Sequence, residues 1–320
     1  MPSRGRKRIA MVNPARSICL CLLAAVSIAG RPAAAAGAQE PAPVIATIKA
    51  HPAMWVVRSP AATAYLFGSI HILPTNIDWH SPAIDAALAA SDIFVFEAPI
   101  GAEGQRESLA FVRRNGTLPL ETSLPSLLDA NSRPDYRAAL LAAHVPPEML
   151  VHMRPWLAAL VLQTRLLESI HYSPAGGVDH QVWAYAEAQK KQIQTLETIT
   201  EQLQMLMPKD RRLEMEEFDA SLKELRTDSN EVGSLVDAWS EGRMNEVAKL
   251  MNAGLAGTPG AKKLLIDDRN ARWMKRLAMM LSQHHTYFIT VGAGHLAGPH
   301  GLPALLAAGG YQVKLSTPAR

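Results

Sequence analysis

Cysteine is nearly missing from this 320-residue sequence: there are two, Cys19 and Cys21, both in one apolar run near the start. Neither follows the Leu-small-small tripeptide of a lipid-attachment site, and none occurs later. The rest of the chain therefore has no disulfide, no thiol nucleophile and no cysteine-ligated metal. Acidic residues are absent from positions 1–38, which carry six basic ones; setting these aside turns a formal net charge of +3 into −3. The electrostatic footprint of a nucleic-acid partner is thus lacking. Beyond the first forty positions there is also no long apolar run, so no bilayer-spanning helix is expected there.

What those first positions do contain follows the pattern of a secretory signal. Arg4, Arg6, Lys7 and Arg8 form a basic front, "SICLCLLAAVSIAG" (17–30) is apolar, and an Ala-x-Ala cleavage site ends at Ala38. The expectation is a signal peptide over 1–38, removed to leave a secreted or periplasmic protein. About 280 residues then remain, enough to bury a large core without covalent staples.

"AMWVVRS" (53–59) and "TAYLFGS" (63–69), separated by Pro-Ala-Ala, predict a hairpin, and "DIFVFEAP" (92–99) predicts a buried strand. Between them "SPAIDAALAAS" (81–91) reads as a helix, with Ser81 as cap and Pro82 in the first turn. This is a β-α-β unit, so the second and third strands are expected to be parallel and adjacent. Helical periods fill an insertion over about 116–190, "QIQTLET" (192–198) is a short strand, and further helices run over about 200–283. "TYFITVG" (286–292) and "YQVKLS" (311–316) are strands flanking a helix at about 302–308. The fold class is mixed α/β: a central, mainly parallel sheet with an N-terminal hairpin and a large helical insertion. The Met-rich stretch "EQLQMLMPKDRRLEMEEF" (201–218) could line an adaptable groove, but such stripes more often read as core.

Three Gly-x-x-His tetrads occur where chance supplies about 0.7, so their number alone decides little. Position separates them. Gly68-Ser-Ile-His71 and Gly292-Ala-Gly-His295 both end apolar strands, whereas the tetrad ending at His180 opens a helix. Glu97 and Glu197 also close apolar runs, and side chains at the carboxyl ends of parallel strands converge on one crevice. Two histidines and one or two carboxylates there suit a divalent metal with open coordination positions. Gly68, Gly292 and Gly294 would let the backbone turn off the strands and approach a ligand with no Cβ in the way. Each residue alone also has an ordinary reading. A single histidine at a strand end is usually a hydrogen-bonded structural residue, Glu197 is placed to cap the helix starting near Thr200, and Asp179 suits the first turn of a helix.

Other templates fail. In "GAGHLAG" the third glycine is misplaced for the G-x-G-x-x-G dinucleotide turn, and there is no G-x-S-x-G elbow, no P-loop and no H-E-x-x-H helix. What the chain does resemble, through "YLFGSIHILP", "FVFEAP", "GVD" (177–179), "LET" (196–198), "DRNARW" (268–273) and "ITVGAGHLAGPHGLPALLAAGGYQV", is the TraB/GumN family, which includes the Tiki proteases. The matching elements span about 53–316, nearly all of 39–320, which implies one domain.

The resemblance implies a metal-dependent hydrolase, a peptidase in Tiki proteins, with a fold similar to erythromycin esterase-like and ChaN-like domains. Carried over by position, His71, Glu97 and His295 are the site and hold Mn²⁺, Co²⁺ or Zn²⁺, which activates water against a peptide or ester carbonyl. Alternatively Glu97 is the general base and Glu197 or Asp179 the third ligand. Arg269, in "DRN" with Asn270, resembles a further family position whose cationic fork would hold a substrate carboxylate or an oxyanion. The competing reading is a non-catalytic envelope module holding a peptide, haem or metal ion in the same cleft.

Overall fold

The computed structural model describes residues 46–225, 230–256 and 260–316, so the expected leader over 1–38 lies outside the described residues. Six strands make the central sheet: β1 (Met54–Arg58), β2 (Thr63–Ser69), β3 (Ile93–Phe96), β4 (Gln192–Thr195), β5 (Thr286–Gly292) and β6 (Gln312–Ser316). Their spatial order is β6-β1-β2-β5-β3-β4. Only β1 runs against its neighbours; the junctions β2/β5, β5/β3 and β3/β4 are all parallel. The mixed α/β class and the mainly parallel sheet are as the sequence predicts. The N-terminal hairpin turns on Ser59, whose Oγ accepts the N–H groups of Ala61 and Ala62 at 3.2 and 2.8 Å.

One expectation is overturned: β2 and β3 are parallel but not adjacent, because β5 lies between them. The reason is the composition of β5. Every residue of "TYFITVG" after the first is buried, so the strand has no face or edge that can be left in water. It occupies the slot between two other apolar strands, and its register sets Ser69 directly beside Gly292.

Helix α1 (Pro82–Ala90) crosses between β2 and β3, capped by Ser81, whose Oγ accepts from Ile84 N at 3.3 Å. The insertion carries α2 (Ala102–Asn115), α3 (Ser132–Ala142), α4 (Pro155–Ser169) and α5 (Val178–Ala188); α2 lies ahead of residue 116. After β4 come α6 (Ile199–Gln204), α7 (Arg211–Glu224), α8 (Asn230–Ser240), α9 (Met244–Leu255) and α10 (Asp268–Leu281), and α11 (Leu302–Ala308) joins β5 to β6. No helix among the described residues is long and apolar enough to cross a membrane.

Each sheet face is buried. Phe67, Phe94, Phe96 and Phe288 pack on one side with Trp79, Val182 and Trp239. Leu66, Val95, Ile289 and Val291 pack on the other with Trp273, Leu277 and Leu306. Full burial of such side chains stabilises by about 1.5–3 kcal/mol each, which is what holds a cysteine-free core. The methionines of the Met-rich stretch are half-buried at the edge of the core: Met215 packs on the insertion cluster around Leu140 and Phe218, and Met207 on that around Trp156 and Leu203.

Candidate functional site

The sheet's carboxyl edge delivers the predicted residues to one place. β2 and β5 end in register, so the two Gly-x-x-His turns leave the sheet side by side. β3 and β4 also end in register at Phe96 and Thr195, and Glu97 O accepts the N–H groups of Leu196 and Glu197 at 3.1 and 2.8 Å. His71, Glu97, Asp179, Glu197, Arg269, Asn270 and His295 are all buried.

Arg269 binds Glu97, Glu197 and His295 together. A π-helical turn, Lys263–Asp267, precedes α10, with Asp268 N–H bonded to Lys263 O five residues back, and Arg269 follows at once. Its Nε donates to Glu197 Oε2 at 3.2 Å and its Nη2 to Glu197 Oε1 at 2.6 Å. Nη2 also donates to Glu97 Oε2. Nη1 donates to Leu265 O at 3.2 Å and to His295 Nε2 at 2.9 Å. A guanidinium has five N–H groups, and all five are used. Trp273, one turn along α10, lies 4.6 Å from the guanidinium carbon and 4.4 Å from the His295 ring.

The hydrogen bonds fix the His295 tautomer. Its Nε2 faces an arginine that can only donate, so the ring proton is on Nδ1, which donates to Asn270 Oδ1 at 2.7 Å. Asn270 Nδ2 in turn donates to His295 O and His300 O at 3.2 and 2.8 Å, pinning the turn that carries the histidine. Burial first, and then the Arg269 charge, hold His295 down at about 3, so the ring is neutral at neutral pH. Burial pushes Glu97 upward, but Arg269, His295, His71 and the Gly292 N–H outweigh it and hold the carboxyl at about 2. That N–H donates to Glu97 Oε1 at 2.6 Å. Burial raises Glu197, and the nearby Glu97 charge adds to it, against the pull of Arg269.

His71 has a different partner. Its Nδ1 lies 2.8 Å from Oδ2 of Asp179, in the first turn of α5. Burial would raise the Asp179 carboxyl, but the charge and hydrogen bond of His71 pull it below its ordinary value. The two are set by backbone: Val178 N donates to Ile70 O at 3.1 Å, and a ribbon pairs Leu73–Pro74 with Tyr172–Ser173.

A sequence model of the TraB/PrgY/gumN family matches residues 53–315. The chain belongs to that family. It is also similar to an uncharacterized protein of Treponema pallidum (strain Nichols), 22% identical over 264 residues, which covers 78% of each chain. No solved structure matches.

In this TraB/PrgY/gumN chain the expected metal set can be tested against the use of each atom. His295 Nε2 and Glu97 Oε2 both receive hydrogens from Arg269. Among the described residues, no three His, Asp or Glu side chains stand where they could hold an ion. As arranged, His71, Glu97 and His295 do not fit a shared metal. Arg269 also departs from its expected part, since with every N–H engaged it has none left for a substrate oxyanion. Gly68 does a packing job: a Cβ there would lie 3.1 Å from Ala293 Cα, in the turn after β5. Gly292 contributes its N–H to Glu97, and Gly294 lies buried in the turn Ala293–Leu296.

Sequence reasoning missed Gln202, whose Nε2 donates to Glu97 Oε2 at 3.2 Å. A signal was present: Ile199, Gln202, Leu203 and Leu206 form an i, i+3, i+4, i+7 stripe with one polar member, and Gln202 is buried. Buried polar groups on apolar stripes need partners.

Proposed function

We propose that this chain is a hydrolase of peptide or ester bonds, acting in the periplasm or outside the cell, in which the His71–Asp179 pair is the base that takes a proton from the attacking water. The observation that carries this reading is the buried 2.8 Å contact between His71 Nδ1 and Asp179 at the carboxyl end of the parallel strands. Held through Nδ1, an imidazole accepts a proton at Nε2 and shares the charge with the carboxylate, the arrangement that general-base catalysis needs. The Arg269 cluster sits close enough that the His71 charge acts on both Glu97 and His295. On this reading Glu97 is a fixed negative charge that favours the protonated state of His71 during the reaction. The basic front, apolar run and Ala-x-Ala site support export.

The test incubates the full chain, freed of any leader by the host, with peptide and ester libraries in EDTA and again with Mn²⁺, Co²⁺ or Zn²⁺. Turnover is expected, and His71→Ala and Asp179→Asn are each expected to lower kcat by about 10²–10⁴-fold at little cost in substrate affinity. Unchanged rates in both variants would sink the assignment. Retention of peptides without cleavage would instead support a binding role for the same cleft.

A further inference from the structure

Glu97, Glu197 and His295 are what a divalent ion of the zinc, cobalt or manganese kind selects: two carboxylates and an imidazole nitrogen. Two of the three, Glu97 and His295, are also oriented by partners other than Arg269. Gly292 N–H holds Glu97 Oε1 at 2.6 Å, Gln202 holds Glu97 Oε2 at 3.2 Å, and Asn270 accepts from the far nitrogen of His295 at 2.7 Å. The last of these is the outer bond that metal-ligating histidines make almost without exception. All three side chains point at a cation, yet that cation is a guanidinium.

We infer that Arg269 is the resident cation of this site, and that Glu97, Glu197 and His295, which as arranged form no ion site of their own, close on a divalent ion only when the guanidinium between them is removed. Three features make the arginine a competitor of the ion and not its neighbour. Its hydrogens lie on the atoms an ion would need, including the Nε2 lone pair of His295 at 2.9 Å. It is immobilised, with 1% of its surface exposed, Nη1 tied to Leu265 O and the Trp273 ring 4.6 Å from its carbon. An ion placed beside it would meet a like charge in a buried setting, where repulsion is poorly screened. The expected metal site and the observed arginine are therefore two occupants of one place. This holds whether or not the chain hydrolyses anything, and its test reads metal and not turnover.

Full chain stripped with EDTA is titrated with Zn²⁺ and Mn²⁺ by calorimetry, and bound metal is counted per chain after gel filtration. Wild type is expected to hold no more metal than Glu97→Gln, any shared background belonging to surface histidines. Arg269→Met is expected to gain one equivalent, bound about a hundredfold more tightly than by wild type and lost again when His295→Ala is added. Because Arg269→Met leaves two facing carboxylates, Arg269→Met with Glu197→Gln, which removes one charge of each sign, is run beside it with circular dichroism as the fold check. If both are unfolded after stripping, recovery of the native spectrum on adding Zn²⁺ or Mn²⁺ supports the inference, and failure to recover overturns it. A folded arginine variant that gains no metal overturns it as well. So does wild type holding one equivalent that Glu97→Gln or His295→Ala removes.

Discussion

At the scale of single residues, the two Gly-x-x-His histidines are chemically unlike despite their shared motif. His71 faces a carboxylate, whereas His295 lies between an arginine and an amide. The difference has a pH signature. His295 is held at about 3 in the fold and titrates near 6.5 when unfolded, so between those values the unfolded chain binds the extra proton and stability falls as pH falls. Glu97, held at about 2 against 4.5, contributes stability that is complete above 4.5 and is lost toward 2. Glu197, raised by burial, works in the opposite sense near its own titration. Between about pH 6.5 and 5 His295 is expected to contribute a slope on the order of 1 kcal/mol per pH unit, opposed by Glu197 wherever its raised carboxyl titrates. Urea unfolding across that window checks it, and His295→Gln should flatten the slope; an unchanged slope would show that the ring is not held neutral. Motif and strand-end position in the sequence locate both histidines and both glutamates. Which partner each histidine meets is not in the motif, because Asp179, Arg269 and Asn270 arrive from helices far along the chain.

Elements explain why those partners arrive where they do. The strand ends were legible: the apolar runs at 63–69 and 286–292 coincide with β2 and β5 at both ends. Their adjacency was not, since a local pattern shows that a strand is buried without showing which strand covers it. The π-helical turn before Arg269 was equally hidden, because "KLLID" carries ordinary helical residues and the extra residue per turn depends on what the side chains meet. α5 is placed by its first residues. A Cβ on Gly177 would lie 2.2 Å from His71 O, so the approach of α5 to the β2 turn requires a glycine even though its φ of −60° is ordinary. Gly177→Ala is expected to cost about 1–3 kcal/mol in urea unfolding, as overpacking does, and to move the imidazole resonances of His71. Native stability with an unmoved His71 signal would mean that α5 is not the element that sets this histidine.

Across the whole molecule, the site joins residues from His71 to His295, so it exists only when the sheet is complete. Stability is not spread evenly around it. The two sheet faces form two clusters, while the insertion has a third, in which Leu118, Tyr136, Leu140, Leu162, Phe218 and Leu222 pack without any residue of the central strands. A fourth, smaller cluster with Trp156, Leu157 and Leu203 lies between them through Ala98. The insertion's closure rests on one buried carboxylate: Glu214, at the start of α7, accepts Arg154 Nε and Nη2 at 3.1 and 2.9 Å, just ahead of α4. Arg154→Ala removes both of these hydrogen bonds and leaves the carboxylate only the Trp156 N–H at 3.4 Å and Arg211 Nε at 3.9 Å, at a cost of up to about 3 kcal/mol. Because the third cluster is separate, the cost should fall on it alone. Native-state hydrogen exchange is expected to show α4 and α7 amides of the variant opening more readily by that amount, while β2 and β5 amides, paired on both sides, still exchange only through global unfolding. An equal loss of protection in β2 and β5 would mean that insertion and sheet unfold as one unit, and that the separation of their cores carries no energetic boundary.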